Sequence, residues 1–172
     1  MKNTNWLIDN THSEIAFKVK HMMISTVTGH FEDFQATAKS NGDDFNNASL
    51  EFSAKTASIN TKNDDRDAHL KSDDFFNSEK YPEMKFVSKS FIGSKLVGDL
   101  TIRDVTKEIT LDAELNGVAV DPYGQTKAGF EISGEVNRKD FNLTWNAVTE
   151  AGSIVVSDKV KLVIDVQFTK QS

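Results

Sequence analysis

Between Glu14 and Lys20 the side chains fall into two phases, with Ile15, Phe17 and Val19 in one and Glu14, Lys18 and Lys20 in the other. Alternation with period two marks an extended strand that turns one face toward a core. It recurs in Ala48–Thr56 through Ala48, Leu50, Phe52 and Ala54, and in Lys107–Gly117 through Ile109, Leu111, Ala113 and Leu115. Lys127–Arg138 repeats it with Ala128, Phe130, Ile132 and Val136, and Lys159–Thr169 with Val160, Leu162, Ile164, Val166 and Phe168. Weaker strands run through Thr26–Lys39, Glu83–Ile92 and Leu96–Arg103. In the first of these the phase slips: Val27, Gly29 and Phe31 share one parity, and Phe34, Ala36 and Ala38 the other. One extra residue near Glu32-Asp33 predicts a β-bulge, which would bend the strand.

Turn signals separate these runs at Asn41-Gly42, Gly93-Ser94, Asn116-Gly117 and Asp121-Pro122-Tyr123-Gly124. Only Asn63–Phe76 departs from period two. It is rich in Asp, Lys and Ala, and Thr61 or Asn63 can cap its start, which predicts a helix over Asp64–Lys71 and then a loop through Phe75-Phe76 to Tyr81-Pro82. Eight amphipathic strands with short turns must hide their apolar faces, and closing into an up-and-down barrel also removes sheet edges. The predicted fold is all-β: an extended eight-stranded antiparallel lipocalin-like barrel with a short helical insertion, one domain over residues 1–172. A barrel of this size either fills its interior with side chains or holds one small ligand, and periodicity does not choose between the two.

Composition narrows the function. Hydrophobic residues make up 38% and charged residues 27% of the chain, as in ordinary globular domains. Twelve Phe stand against two Trp and two Tyr, so the aromatic interior is mostly hydrocarbon. A net charge of −6 without any basic stripe argues against nucleic acid as a partner. The absence of Cys removes disulfides, thiolate metal sites and thiol nucleophiles. Met1–Asn5 is polar, and Trp6-Leu7-Ile8 is cut off at once by Asp9. No signal-peptide pattern is present, and no run approaches the roughly 18 apolar residues of a membrane span. On these grounds the chain reads as cytoplasmic, with no transmembrane segment.

Candidate chemistry is sparse. The histidines at 12, 21, 30 and 69 show neither i, i+2 pairing nor HExxH spacing, so no metal is expected. No G-x-S-x-G, phosphate loop or calcium loop occurs. The chain therefore reads as a non-enzyme without catalytic residues. Two alternatives stay open: an enzyme acting on a small apolar substrate with His21 or His12 as base, and a fully packed barrel that serves as a partner-binding module. Two charged features interrupt the apolar pattern. Arg66-Asp67 sits in the only helix, where adjacent residues point apart, so the two are expected to serve different partners. One of them would tie the helix to a strand, or the segment would line the barrel mouth with Phe75-Phe76 as its plug. Arg138 continues the inward phase of its strand, which is costly unless the guanidinium is paired or at the rim. It is expected to form a rim ion pair or to meet a ligand's polar head.

The ordered set of residues resembles a known family. It begins with Trp6-Leu7-Ile8-Asp9, His12-Ser13, Phe17, His21 and Gly29-x-Phe31, and continues with Ser58-Ile59-x-Thr61, Arg66-Asp67-x-x-Leu70, Asp74-Phe75-Phe76 and Tyr81-Pro82. Phe86, Gly98-Asp99-Leu100-Thr101-Ile102, Thr106, Gly129-Phe130 and Asn137-Arg138-x-x-Phe141 complete it. Over nearly its whole length the chain resembles the YceI-like family of polyisoprenoid-binding, lipocalin-like proteins. The resemblance implies an eight-stranded barrel that holds a long-chain amphipathic lipid for storage, sequestration or transport. That lipid would be a polyisoprenoid, an isoprenoid quinone or a fatty-acid amide, with no further cofactor. It also implies a homodimer, since relatives often dimerise. Many relatives are exported, and this sequence departs from them in lacking a signal peptide, so a periplasmic role is not carried over. The expected lining is Phe17, Phe31, Phe52, Phe75, Phe76, Phe86, Leu100, Ile102, Leu111, Phe130, Ile132, Leu162 and Phe168. The expected head-group contacts at the rim are His21, Arg66, Asp67 and Arg138.

The strand phase is directly testable. Phe130→Asp is expected to destabilise the fold by more than about 3 kcal/mol and to abolish lipid binding, because it buries a charge. Glu131→Lys, on the opposite face, is expected to change neither. Thermal melts and a binding assay on the two variants check this; equal behaviour of the pair would refute the assigned phase.

Overall fold

A computed structural model describes residues 3–146 and 156–171. Its β-segments are β1 (Asn3–Ile8), β2 (Glu14–His21), β3 (Ser25–Phe31), β4 (Phe34–Asn41), β5 (Asp44–Lys55) and β6 (Ile59–Asn60). After helix α1 (Asp64–Lys71) come β7 (Glu83–Ile92), β8 (Lys95–Ile102), β9 (Val105–Val120), β10 (Thr126–Asn137) and β11 (Val156–Lys170). These segments amount to eight long strands. β1 and β2 are halves of one strand bent at the 3-10 turn Asn10–His12. β3 and β4 are halves of the next, and β5 and β6 of the third: β1 pairs with β4 and β5 with β4, while β2 and β6 pair with β3. β11 is long enough to run beside both β2 and β1. Its register with β1, Trp6↔Lys170 and Ile8↔Phe168, closes the antiparallel ring.

The eight-stranded barrel expected from alternation is therefore observed, and three local features show what pairing adds. The phase slip at Glu32-Asp33 falls where β3 ends and β4 begins, so the predicted bulge is a bend between two strand halves. β1 went unrecognised because its run is short, with only Trp6 and Ile8 pointing inward. Trp6 is 1% exposed, and its indole Nε1 donates to Ser40 Oγ at 2.7 Å, which donates onward to Gly42 O at 2.7 Å. Asn116-Gly117 is not a turn. β9 passes through it, Gly117 pairs with Gly129 and Leu115 with Phe130, and Asn116 is the extra residue of a bulge. Asn and Gly suit either feature, and the long-range pairing with β10 decides between them. The real turn comes at 121–125, where Asp121 Oδ1 accepts the amides of Tyr123 at 2.9 Å and Gln125 at 3.0 Å.

Up-and-down order places successive connections at alternate ends. One end carries the tight turns at 42–43, 93–94 and 121–125 and is closed by aromatic packing. Trp6 meets Phe45 at 5.0 Å between ring centroids, and Phe130 meets Phe45 at 5.0 Å, Phe168 at 6.2 Å and Phe91 at 6.3 Å. Phe130 is buried and Glu131 exposed, as their alternation requires. The other end carries α1, which begins and ends where the sequence placed it. Its cap is Asn63, whose side chain accepts from Arg66 N at 3.0 Å. Asp64, Asp65 and Asp67 occupy its first turn and His69 and Lys71 its last, the arrangement the helix dipole favours.

The bend between β1 and β2 is held by charge. Asp9 caps the 3-10 turn by accepting from Thr11 N at 3.1 Å, and its Oδ2 takes Lys127 Nζ of β10 at 2.8 Å. Lys127 also donates to Thr169 Oγ1 at 2.7 Å. The hydrogen bond from Lys127 holds the Asp9 carboxyl well below the usual carboxylate range, overcoming the opposing effect of burial, and His12 and Thr11 add to it. A carboxyl depressed in the folded state stabilises above its unfolded value of about 4, and the contribution is lost as pH falls from there through the folded value. Asp9→Asn is therefore expected to cost about 2 kcal/mol near neutral pH. Denaturation curves taken from neutral to strongly acidic pH should show the gap between the two proteins closing steadily below about pH 4; a constant gap would contradict the assignment.

Candidate functional site

Strands that curve around a closed ring need not bring their inner faces into contact. Between these faces lies a cavity of about 170 Å³. One water needs about 10–15 Å³ measured in this way, so the interior is hollow rather than packed. Phe17, Phe31, Phe52 and Phe86 supply aromatic wall, and Leu100, Ile102, Leu111, Ile132, Leu162 and Phe168 the rest of the predicted lining. Phe75 and Phe76, from the loop after α1, roof it together with Leu70. Phe130 is the one predicted lining residue that does not border this space. It lies further down, on a second cavity of about 30 Å³ at the closed end. Sequence reasoning missed Met84, Phe141 and Leu143, which also line the main cavity. The last two follow β10 in a 3-10 turn and an irregular stretch, where period two gives no signal.

Glycines let the aromatic wall lie flat. Gly29 of β3 pairs with Phe17 of β2, and a Cβ at Gly29 would collide with the Phe17 ring. Gly98 of β8 does the same for Phe86, where a Cβ would strike both the ring and the Val87 carbonyl.

Charge is kept out of this interior. Among the described residues, Arg138 is the only polar side chain bordering the main cavity, and it is 3% exposed. Its Nε donates to Ser157 O at 2.9 Å and its Nη1 to Leu143 O at 2.6 Å and Trp145 O at 2.7 Å. Nη2 donates to Val156 O at 3.3 Å and stands 3.7 Å from Asp158 Oδ1. Desolvation lowers the guanidinium from its ordinary value and Asp158 opposes it. The expected rim ion pair exists, but four backbone carbonyls take most of the donors of this group. Arg138 is thus a clasp between the chain leaving β10 and the start of β11, and four of its five N–H groups donate to backbone carbonyls of the protein itself.

The other head-group candidates are likewise engaged or remote. Asp67 is buried, and its Oδ1 accepts from Thr61 N at 2.9 Å and Thr61 Oγ1 at 2.5 Å. Arg66 donates from Nε to Thr61 Oγ1 at 2.7 Å and from Nη2 to Thr61 O at 2.6 Å. The expectation of different partners is corrected: both side chains converge on Thr61, which lies at the helix entrance between β6 and α1 and is reached from both. Together they tie the helix to its strand. His21 is exposed at the end of β2 and does not border the cavity. His12 bonds Asp9 at 2.8 Å, His30 pairs with Glu14, and His69 bonds Asp74 at 2.8 Å while packing edge-on to Trp145 at 4.6 Å. None of the four histidines borders the main cavity, so the alternative reading with a histidine base finds no base there. The roof has a further anchor that no sequence pattern singled out. Arg103, between β8 and β9, donates from Nη1 to Asp73 O at 2.9 Å and Phe75 O at 3.0 Å, and pairs through Nη2 with the Asp73 carboxylate at 2.9 Å.

Comparison with known proteins places this geometry. The family model described as the YceI-like domain matches residues 6–168. A UPF0312 protein of Staphylococcus aureus strain MSSA476 is 38% identical over 167 residues, covering 96% of this chain and 98% of the relative. The crystal structure of a Campylobacter jejuni YceI protein superposes with a TM-score of 0.77 at 37% identity, covering 89% of this chain and 90% of that one. A polyisoprenoid binding domain from Saccharophagus degradans shares the fold with a TM-score of 0.75 at 14% identity, covering 96% of this chain and 98% of that one.

The clasp has a measurable consequence. Arg138→Ala leaves buried carbonyls without donors and is expected to cost about 3 kcal/mol. Arg138→Lys brings charge without the planar fork and should recover less than half of that. Chemical denaturation of the three proteins checks the order; a lysine variant as stable as the parent would show that charge alone suffices.

Proposed function

The chain belongs to the YceI-like domain family, and we propose that its barrel encloses the hydrocarbon tail of a long-chain amphipathic lipid for storage, sequestration or transport. A polyisoprenoid, an isoprenoid quinone and a fatty-acid amide all fit the chemistry of the interior. The observation that carries the reading is the hollow cavity lined almost wholly by apolar side chains, chiefly Phe, Leu and Ile. Such a surface offers no partner to a polar ligand and gains free energy from any hydrocarbon that replaces water. At roughly 25 cal/mol per Å², burying about 400 Å² of chain contributes some 10 kcal/mol before association costs. Tight binding therefore needs few polar contacts, which agrees with the engagement of Arg138, Arg66 and Asp67 by the protein backbone.

The fold gives the ligand a direction. The aromatic cluster around Phe130 seals one end, so the tail points toward it and the polar head lies at the other end, under α1 and the Phe75-Phe76 roof. In this reading the protein acts by holding rather than by turnover, and among the described residues the side chains bordering the main cavity are apolar apart from Arg138. The name of the Saccharophagus degradans neighbour, a polyisoprenoid binding domain, supports an isoprenoid tail in particular.

Extraction of gently purified protein with organic solvent, followed by mass spectrometry, is expected to release a lipid with a long hydrocarbon tail. Leu111→Glu, which puts a carboxylate in the wall, should remove it. Absence of any lipid, together with no binding of a prenyl quinone or a long fatty amide at micromolar concentration, would overturn the reading.

A further inference from the structure

The smaller cavity is not a separate pocket. Leu50 of β5, Leu96 of β8, Ile132 of β10 and Phe168 of β11 border both spaces, so four side chains from around the ring form a septum between them. Around the smaller cavity the inward positions of three strands carry buried alanines: Ala48, Ala38, which pairs with Leu50, and Ala113, which pairs with Ile132. Larger residues at these sites would fill the gap, as packed cores do. The gap holds about 30 Å³, more than the 10–15 Å³ a water-sized guest requires, and so has room for the end of a hydrocarbon chain. Its walls differ in stiffness. Three members of the septum are aliphatic side chains that can change rotamer, and Leu50 is only partly buried. The floor is Phe130, locked in ring contacts with Phe45, Phe91 and Phe168, with Trp6 behind Phe45.

We infer that this smaller cavity is a terminal subsite that receives the end of the bound chain through the septum, and that Phe130 is the stop that sets the longest chain accepted. The inference rests on the lipid-holding reading and adds a measure of length to it. The chain enters under the roof, runs down the main cavity, parts Leu50, Leu96 and Ile132, and ends against the Phe130 ring. A chain too short leaves the subsite empty. A chain too long must leave methylenes in water or bend beneath the roof.

The test is a homologous series of straight-chain fatty amides, lengthened by pairs of methylenes, titrated into three proteins: the parent, Ala48→Leu and Phe130→Leu. Ala48→Leu fills the subsite and is expected to shorten the best-bound chain. Homologues that reached the subsite in the parent should bind roughly fifteenfold more weakly for each excluded pair of methylenes, the factor that burying two such groups supplies. Phe130→Leu lowers the floor and should move the optimum to longer chains. Thermal melts establish that each variant is folded, and Ala113→Val fills the same space should Ala48→Leu not fold. If the parent binds no member of the series and no prenyl quinone, the lipid-holding reading itself fails. If the parent binds with a clear length optimum that neither variant shifts, the subsite is disproved while that reading stands.

Discussion

Closure of the sheet, made by the register of Ile8 with Phe168 and Trp6 with Lys170, is what allows the interior to stay empty. Most domains hold their shape because apolar side chains meet at close-packed density, and opening a space in the middle is costly. A hollow barrel gives up part of that packing. Its shape must come instead from a ring of backbone hydrogen bonds that has no loose edge. The bends at Asn10–His12 and Glu32-Asp33 follow from the same demand, since they let two long strands wrap the ring and pair on both sides of the bend. The Asp9–Lys127 pair sits at one of these bends and ties it to the far side of the closure.

The polar chemistry of the molecule serves the same end. Arg138, Arg66, Asp67 and Arg103 cluster where the barrel opens, and each directs its hydrogen bonds at main-chain groups of loops and helix entrances. Buried charge of this kind is tolerated because most of its donors and acceptors are matched, with Arg103 Nε an exception. The effect is to fasten the roof formed by Phe75, Phe76 and Leu70 while leaving Arg138 as the one polar side chain among the described residues that border the main cavity. The described wall of the main cavity is left almost wholly apolar.

Several of these elements were legible in the sequence. Inward residues such as Phe17, Phe86, Leu111 and Leu162 stood in phase with their neighbours, and Asp64–Lys71 carried a cap and the right terminal charges. Other features were not. β1 was too short to show a period, and Asn116-Gly117 carried turn chemistry that its partner strand converted into a bulge. Arg66 and Asp67 point different ways along a helix surface, yet they share Thr61, because a partner at the helix entrance lies within reach of both.

The division follows from range. Alternation, capping and turn residues act between neighbours a few positions apart, so the sequence alone determined the strands, their inner faces and the helix. Whether those inner faces touch depends on the circumference of the ring, which is a property of all the strands and their stagger together. The tertiary structure alone decided that the faces stand apart and leave a hollow. It also decided that Phe130 belongs to the floor below the main cavity and that Arg138 is spent on its own chain.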